Sequence, residues 1–206
     1  ISVVTWTGDG SSSSTVGHGL GVIPDLIISK STSDVNDWWV AHVGIPNSWL
    51  NLNSNIASFT GGGTNGGFGY QSTFTSSVFG FTAGSSSVDN VNKSGSTYVA
   101  YCFKSKANFS KFGTYTATGS AGTPTITTDF QPDVVFMKNI DRTQEWIVID
   151  SARGLNKSLQ TNSASLESVN GNIITTDATS FTINVSGGGI NYANGDTMIY
   201  AAFKIN

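Results

Sequence analysis

Residues 3–104 and 112–204 carry one pattern twice. Ile23-Pro24-Asp25-Leu26-Ile27-Ile28-Ser29-Lys30 returns as Gln131-Pro132-Asp133-Val134-Val135-Phe136-Met137-Lys138, displaced by 108 positions. Asp37-Trp38-Trp39-Val40 returns as Glu145-Trp146-Ile147-Val148 at the same displacement. Gly95-Ser96-Thr97-Tyr98-Val99-Ala100-Tyr101-Cys102-Phe103-Lys104 returns as Gly195-Asp196-Thr197-Met198-Ile199-Tyr200-Ala201-Ala202-Phe203-Lys204, displaced by 100. A period near 100 residues is the size of a domain and far exceeds the repeats of solenoids and propellers. The pattern therefore predicts a duplicated domain, with copies at 1–106 and 107–206 joined by a short linker around 105–111. It also supplies a control: features found in both copies belong to the fold, and features of one copy alone are candidates for function.

Both copies read as strands. In Asp25–Lys30, Leu26 and Ile28 alternate with Ile27 and Ser29, the period of two that a pleated strand imposes. Pro24 and Pro132 stand at strand entrances, where a missing N–H costs least. Trp38, Val40 and His42 alternate with Trp39, Ala41 and Val43, and Trp38 and Trp146 are expected to anchor the two cores. Ser48–Asn53 matches Lys157–Asn162, so Trp49 aligns with Ser158. Further strands are expected at Val78–Thr82, Tyr98–Lys104, Ser180–Ser186 and Met198–Ile205, with no amphipathic helix. Turn residues every 8–12 positions complete the signature of an all-β chain, two tandem β-sandwich or barrel-like domains.

Composition narrows the function classes. Charged residues make up 11% of the 206, the net charge is −3, and no Lys/Arg cluster occurs, which argues against nucleic acid or an anionic membrane as partner. No apolar run is long enough to span a bilayer. The start at Ile1 rather than Met reads as a piece of a longer chain. Twelve Phe, six Tyr and five Trp argue against disorder and for a rigid scaffold under a neutral surface of hydroxyls and amides.

Catalytic constellations are thin. His18 sits in a Gly-rich turn and aligns, at the constant displacement, with Ile126; His42 aligns with Asp150; neither accompanies a nucleophile-elbow pattern. Cys102, replaced by Ala202 in the second copy, reads as a buried thiol. Glycosidase chemistry needs two carboxylates flanking a sugar. Asp25 and Asp133 occur in both copies as strand-entrance residues, and Asp34 and Asp37 lie in a turn. Calcium and zinc spacings are missing, and the glycine runs 61–63 and 187–189 lack the phosphate-loop pattern. The expectation is a protein without catalytic residues, metal or cofactor.

What remains after subtraction is aromatic and peculiar to the first copy. Trp39 aligns with Ile147, Trp49 with Ser158, and the Gly-rich stretch 58–73 has no counterpart. Sugars bind where an aromatic face stacks on the ring and neutral amides hydrogen-bond the hydroxyls. Trp39, Trp49, Asn51, Asn53, Asn65, Phe68 and Tyr70 are the candidate glycan-binding set. The alternative for Trp49 is a core plug, with the loop as surface decoration or subunit contact.

These segments carry a family resemblance. His18–Lys30 resembles the HGLGVxPxLIIxK run of bacteriophage tail fibre or adhesin-like virion proteins, abundant in marine and cyanobacterial phages. Tyr98–Phe103 followed by Phe109–Thr116 is similar to that family's YVAYCF…GFSKFGxYTGNG segment. Phe130–Lys138 resembles FxPxxVMxK, and Trp146–Ser151 resembles WxIYDxxR. The pattern departs at Ala117-Thr118-Gly119, which replaces GNG. The resemblance implies a virion module without catalytic residues, located on a tail fibre or another external appendage. Its expected partners are a host surface glycan or protein and other virion subunits, often within a homotrimer. A purely structural virion role is the alternative.

Overall fold

A computed structural model of the chain describes residues 1–46, 48–60, 67–68, 73–82 and 89–205, with backbone alone at 60, 67, 68, 82 and 89. The described residues form an all-β structure divided into two compact units. The first comprises Ile1–Leu52 and Ser58–Lys104, and the second Asn53–Ala57 and Ser105–Asn206. Five residues of the first half of the sequence thus belong to the second unit.

In the first unit the strands are β1 (Ser2–Thr7), β2 (Thr15–Gly17), β3 (Leu26–Ser31), β4 (Trp39–His42), β5 (Ser48–Asn51), β6 (Phe59–Thr60), β7 (Gly67–Phe68), β8 (Val78–Thr82) and β9 (Thr97–Phe103), with one helical turn, α1 (Asp89–Asn92). They pair as a six-stranded sheet β1-β9-β3-β4-β5-β6 and a three-stranded sheet β2-β8-β7. The pairings among these described strands are antiparallel, for example Ile27 with Cys102 and Ile28 with Val40. Period-two alternation sends Ile27, Trp39, Ala41, Ala100 and Cys102 from the large sheet against Phe79 and Phe81 of the small one, and these residues form the core of a sandwich. Trp6 stacks on Tyr98 with centroids 5.1 Å apart and adds to this core from β1.

In the second unit the strands are β10 (Ser110–Thr116), β11 (Thr125–Thr127), β12 (Val134–Asn139), β13 (Ile147–Asp150), β14 (Lys157–Gln160), β15 (Ser168–Val169), β16 (Ile174–Thr176), β17 (Ser180–Ile183) and β18 (Thr197–Phe203). The sheets are ordered β10-β18-β12-β13-β14-β15 and β11-β17-β16. Val135, Met137, Ile149, Tyr200 and Ala202 meet Ile126, Phe181 and Ile183 in its core. Strand order recurs element for element between the units, and so does register. Leu26 pairs with His42 as Val134 pairs with Asp150, and Val16 pairs with Phe79 as Ile126 with Phe181.

Two expectations are corrected by the register. Val16, not His18, is the counterpart of Ile126, so His18 corresponds to Thr128. The His18 amide donates to Ser77 O at 3.0 Å and the Thr128 amide to Thr179 O at 2.8 Å. Trp38 is only half-buried, whereas Trp39 is the core residue, 4% exposed. The cause is that all four residues of β4 are buried, the polar His42 included, so polarity along the strand does not tell the inner face from the outer. The one-turn helix α1 was also not expected from the sequence.

The strand-entrance role of the paired aspartates is met by geometry. Asp25 N–H donates to Phe103 O and Asp133 N–H to Phe203 O, each at 2.8 Å. Asp25 further takes an ion pair from Lys104 at 2.7 Å, and Asp133 accepts the Ile205 N–H at 2.7 Å.

Candidate functional site

The expected aromatic platform of the first unit lies inside it. Trp39, Trp49 and Asn51 are 4%, 2% and 3% exposed. The two indole rings lie 6.5 Å apart, and the Phe59 ring lies 6.4 Å from that of Trp39. Trp39 Nε1 donates to Asn36 Oδ1 at 3.3 Å, which fixes its ring. Rings buried to this extent offer no surface for a sugar, so the stacking role expected of Trp39 and Trp49 is replaced by a core role. Asn53 is exposed but sits in the segment that belongs to the second unit. Asn65, Tyr70 and the side chain of Phe68 lie outside the described residues. The candidate set is therefore not brought together by its described members.

The titratable groups act as structural ties. His18 is fully buried, with Nδ1 accepting from Leu20 N–H and Nε2 3.1 Å from Thr75 O. His42 Nδ1 accepts from Gly44 N–H at 2.9 Å, and Asp150 Oδ1 at the same register accepts from Arg153 N–H at 2.9 Å. Burial pushes the Cys102 thiol up to about 12, which removes thiolate reactivity at neutral pH. Asp150 and Glu167 share Arg153, at 2.6 and 2.9 Å. The Arg153 hydrogen bond holds the Glu167 carboxylate below its usual range, so it is a fixed anion rather than a proton donor. Among the described residues no group of three His, Cys, Asp or Glu side chains is placed to hold a metal.

Two hollows open on the second unit. One, of about 240 Å³, lies between Asp133, Asp150, Ser151 and Ile205. The larger, of about 330 Å³, is lined by Gln144, Glu145, Ser158, Gln160, Asn170 and Tyr192 among others. Glu145 is held from two sides. Asn55 Nδ2 donates to its Oε1 at 3.0 Å, and Asn162 Nδ2 donates to its Oε2. Tyr192 is half-exposed, with the Arg142 guanidinium 5.5 Å over its ring and paired in turn to Asp196 at 2.7 Å. Amides, hydroxyls, one aromatic ring and one carboxylate held by two amides are among the groups of this lining.

Below Glu145 lies a buried ammonium that the sequence marked only as a strand residue common to both copies. Lys138 Nζ donates to Asn139 O at 2.6 Å, Asn55 O at 3.2 Å and Arg142 O at 3.5 Å. Its counterpart Lys30 donates to Ser31 O and Asp34 O at 3.0 and 3.4 Å and is only half-buried. Burial pushes the Lys138 ammonium down to about 8, against the attraction of Glu145. The unfolded chain keeps this proton to its ordinary value near 10.5, so between the two values it binds more protons than the folded chain. Stability therefore rises with pH across that window. From pH 7 to 9 the second unit is expected to gain about 1.4 kcal/mol from this group, read as a higher urea midpoint. Lys138→Met should flatten the profile, and an unchanged pH slope in that variant would refute the assignment.

A family model described as a domain of unknown function, DUF7483, matches residues 1–206. No curated protein matches the chain. A solved structure described as the crystal structure of the STIV MCP is similar over 98% of this chain and 95% of that one, at 8% identity and a TM-score of 0.26.

Proposed function

The chain belongs to the DUF7483 family, and we propose that it is a non-enzymatic virion module that attaches the particle to the host surface. The observation that carries this reading is the 330 Å³ hollow of the second unit, lined by amides, hydroxyls and the carboxylate of Glu145 beside a half-exposed tyrosine. Such a lining suits the hydroxyls of surface glycans, which are uncharged and amphipathic. The motif resemblance of His18–Lys30 and Tyr98–Thr116 to tail fibre or adhesin-like proteins points to the same role and to an external appendage as its place. Fluorescently labelled full chain should bind intact marine bacterial or cyanobacterial cells saturably, and periodate oxidation of the cell surface should abolish the binding. Failure to bind any of a broad strain panel would overturn the attachment reading.

A second reading, a structural virion protein without direct receptor contact, is favoured by a different observation. Val169 in the edge strand β15 is 62% exposed and Leu166, two residues before that strand, is 92% exposed, and exposed edges are where sheets meet partners. Homotrimerisation belongs to this reading. Light scattering would then give three times the 21.6 kDa of the chain, and Leu166→Lys would return it to monomer mass.

A further inference from the structure

We infer that the larger hollow of the second unit is a subsite for one neutral sugar residue, opened where three aromatic rings close the same place in the first unit. The inference takes its ligand class from the attachment reading and its location from strand register. Trp39 pairs with Asn51 and Val40 with Leu50, as Ile147 pairs with Gln160 and Val148 with Leu159. One strand further, Trp49 pairs with Phe59 as Ser158 pairs with Ser168. The rings of Trp39, Trp49 and Phe59 therefore correspond to Ile147, Ser158 and Ser168. In the first unit those rings pack at 6.4–6.5 Å and leave Trp49 2% exposed. In the second unit all three small replacements line the 330 Å³ space.

A void made by deleting rings from a core ordinarily collapses, or stays dry and apolar. This one is lined by Gln144, Gln160, Ser158, Ser168 and Asn170. Polar walls of this kind hold water in ordered positions, and a ligand that reproduces those hydrogen bonds can displace it. Ser168 Oγ accepts from Asn170 Nδ2 at 3.0 Å, so its own O–H is available to donate outward. Glu145, fixed by Asn55 and Asn162, is a preorganised acceptor for ligand hydroxyls, and its charge disfavours anionic sugars. Arg142 covers one face of Tyr192, and the exposed remainder of the ring offers an apolar surface to sugar C–H groups.

The glycine run that borders the hollow fits this use. Gly187, Gly188 and Gly189 have φ of 90°, 66° and 80°, a left-handed path that side chains rarely follow. A Cβ on Gly189 would stand 3.3 Å from Gln144 Oε1, so that amide would have to give by a few tenths of an ångström. The size, about 330 Å³, lies at the small end of ligand pockets, which start near roughly 300 Å³, and so admits a single ring rather than a long oligosaccharide.

The test is a titration of ¹⁵N-labelled full chain with the methyl glycosides of glucose, galactose, mannose and N-acetylglucosamine. Saturable shifts are expected at Gly188, Gly189, Gln160 and Tyr192 for at least one of them, with a dissociation constant on the order of 1 mM, the range open to a ligand this small. Ser158→Trp installs the residue that the first unit carries at that register, and should weaken binding at least tenfold while the spectrum stays folded. Gln160→Ala, which removes a wall amide without touching the core, should weaken it severalfold and serves if Ser158→Trp fails to fold. Shifts confined to other residues, no saturation with any glycoside, or full affinity in both variants would overturn the subsite. Cell binding separates this inference from the one it rests on. Wild-type binding that survives in folded Ser158→Trp refutes the subsite alone, and absence of cell binding in the wild type refutes attachment.

Discussion

Trp49→Ala is expected to destabilise the first unit by about 3–5 kcal/mol, the range for emptying a buried aromatic site. The indole is 2% exposed, pairs in register with Phe59 and packs 6.5 Å from Trp39. Its neighbours come from two sheets of a sandwich and cannot all move in to fill the space. Trp49→Phe is expected to cost much less, about 1–2 kcal/mol, because Trp49 Nε1 has no hydrogen-bond partner among the described residues and its removal strands nothing. Urea unfolding followed by circular dichroism measures both variants. Equal costs for Ala and Phe would contradict the packing role. Loss of cell binding in Trp49→Ala would report unfolding of the unit, so this residue is unsuited to testing recognition.

Asn191→Ala should destabilise the second unit by about 3 kcal/mol or more, as backbone groups lose their partners. The side chain is fully buried. Its Oδ1 accepts from the amides of Thr118 and Gly119 at 2.8 and 3.0 Å. Its two amide hydrogens are shared among the carbonyls of Ser120, Thr123 and Val185 at 2.8, 2.9 and 2.8 Å. One residue thus replaces water for four backbone groups of the loop after β10 and for one, Val185 O, just after β17. Asn191→Asp keeps the acceptor and loses the donors, so it should be destabilised too, and more at neutral pH than at pH 4, where the buried carboxylate is closer to neutral. A stability within 1 kcal/mol of wild type in Asn191→Ala would show that water replaces the amide.

Asn191 also shows where sequence reasoning stops. Asn92 ties the corresponding loop of the first unit with fewer bonds, donating to Asp9 Oδ1 and Ser11 O at 2.7 and 2.9 Å. The signal was present as Val91-Asn92 before Gly95 and Ile190-Asn191 before Gly195, but one extra residue in the second copy breaks the alignment. The misplacement of His18 against Ile126 has the same cause. Loops gain and lose residues while sheet register does not, so a constant displacement is trustworthy only within a strand. Within strands the pattern was legible. Leu26–Lys30 and Val134–Lys138 pair as their alternation requires, and the all-β class followed from period and turns.

The site was less legible, for a physical reason. An aromatic residue peculiar to one copy can stack on a ligand or fill that copy's own core, and its sequence is the same in both cases. Trp39 and Trp49 fill the core. The informative partner of the comparison was the smaller one: Ser158 and Ser168, unremarkable as sequence, mark the place where a ring is missing. Reading the alignment for what the second copy lacks, rather than for what the first copy adds, would have led to the hollow.

Residues 53–57 carry a consequence for how the two halves of the gene can vary. They precede the first strand of the second unit by some fifty positions, yet Asn55 supplies a carbonyl to Lys138 and an amide to Glu145. A recombination that exchanged residues 1–104 as a block would replace this piece of the second unit along with the first. A chain cut between 104 and 105 would leave Lys138 with two carbonyls in place of three and Glu145 with one amide in place of two. The two units are thus not separable at a single cut, and a change at position 55 removes a hydrogen-bond partner of the carboxylate beside the hollow without altering any residue of the second half.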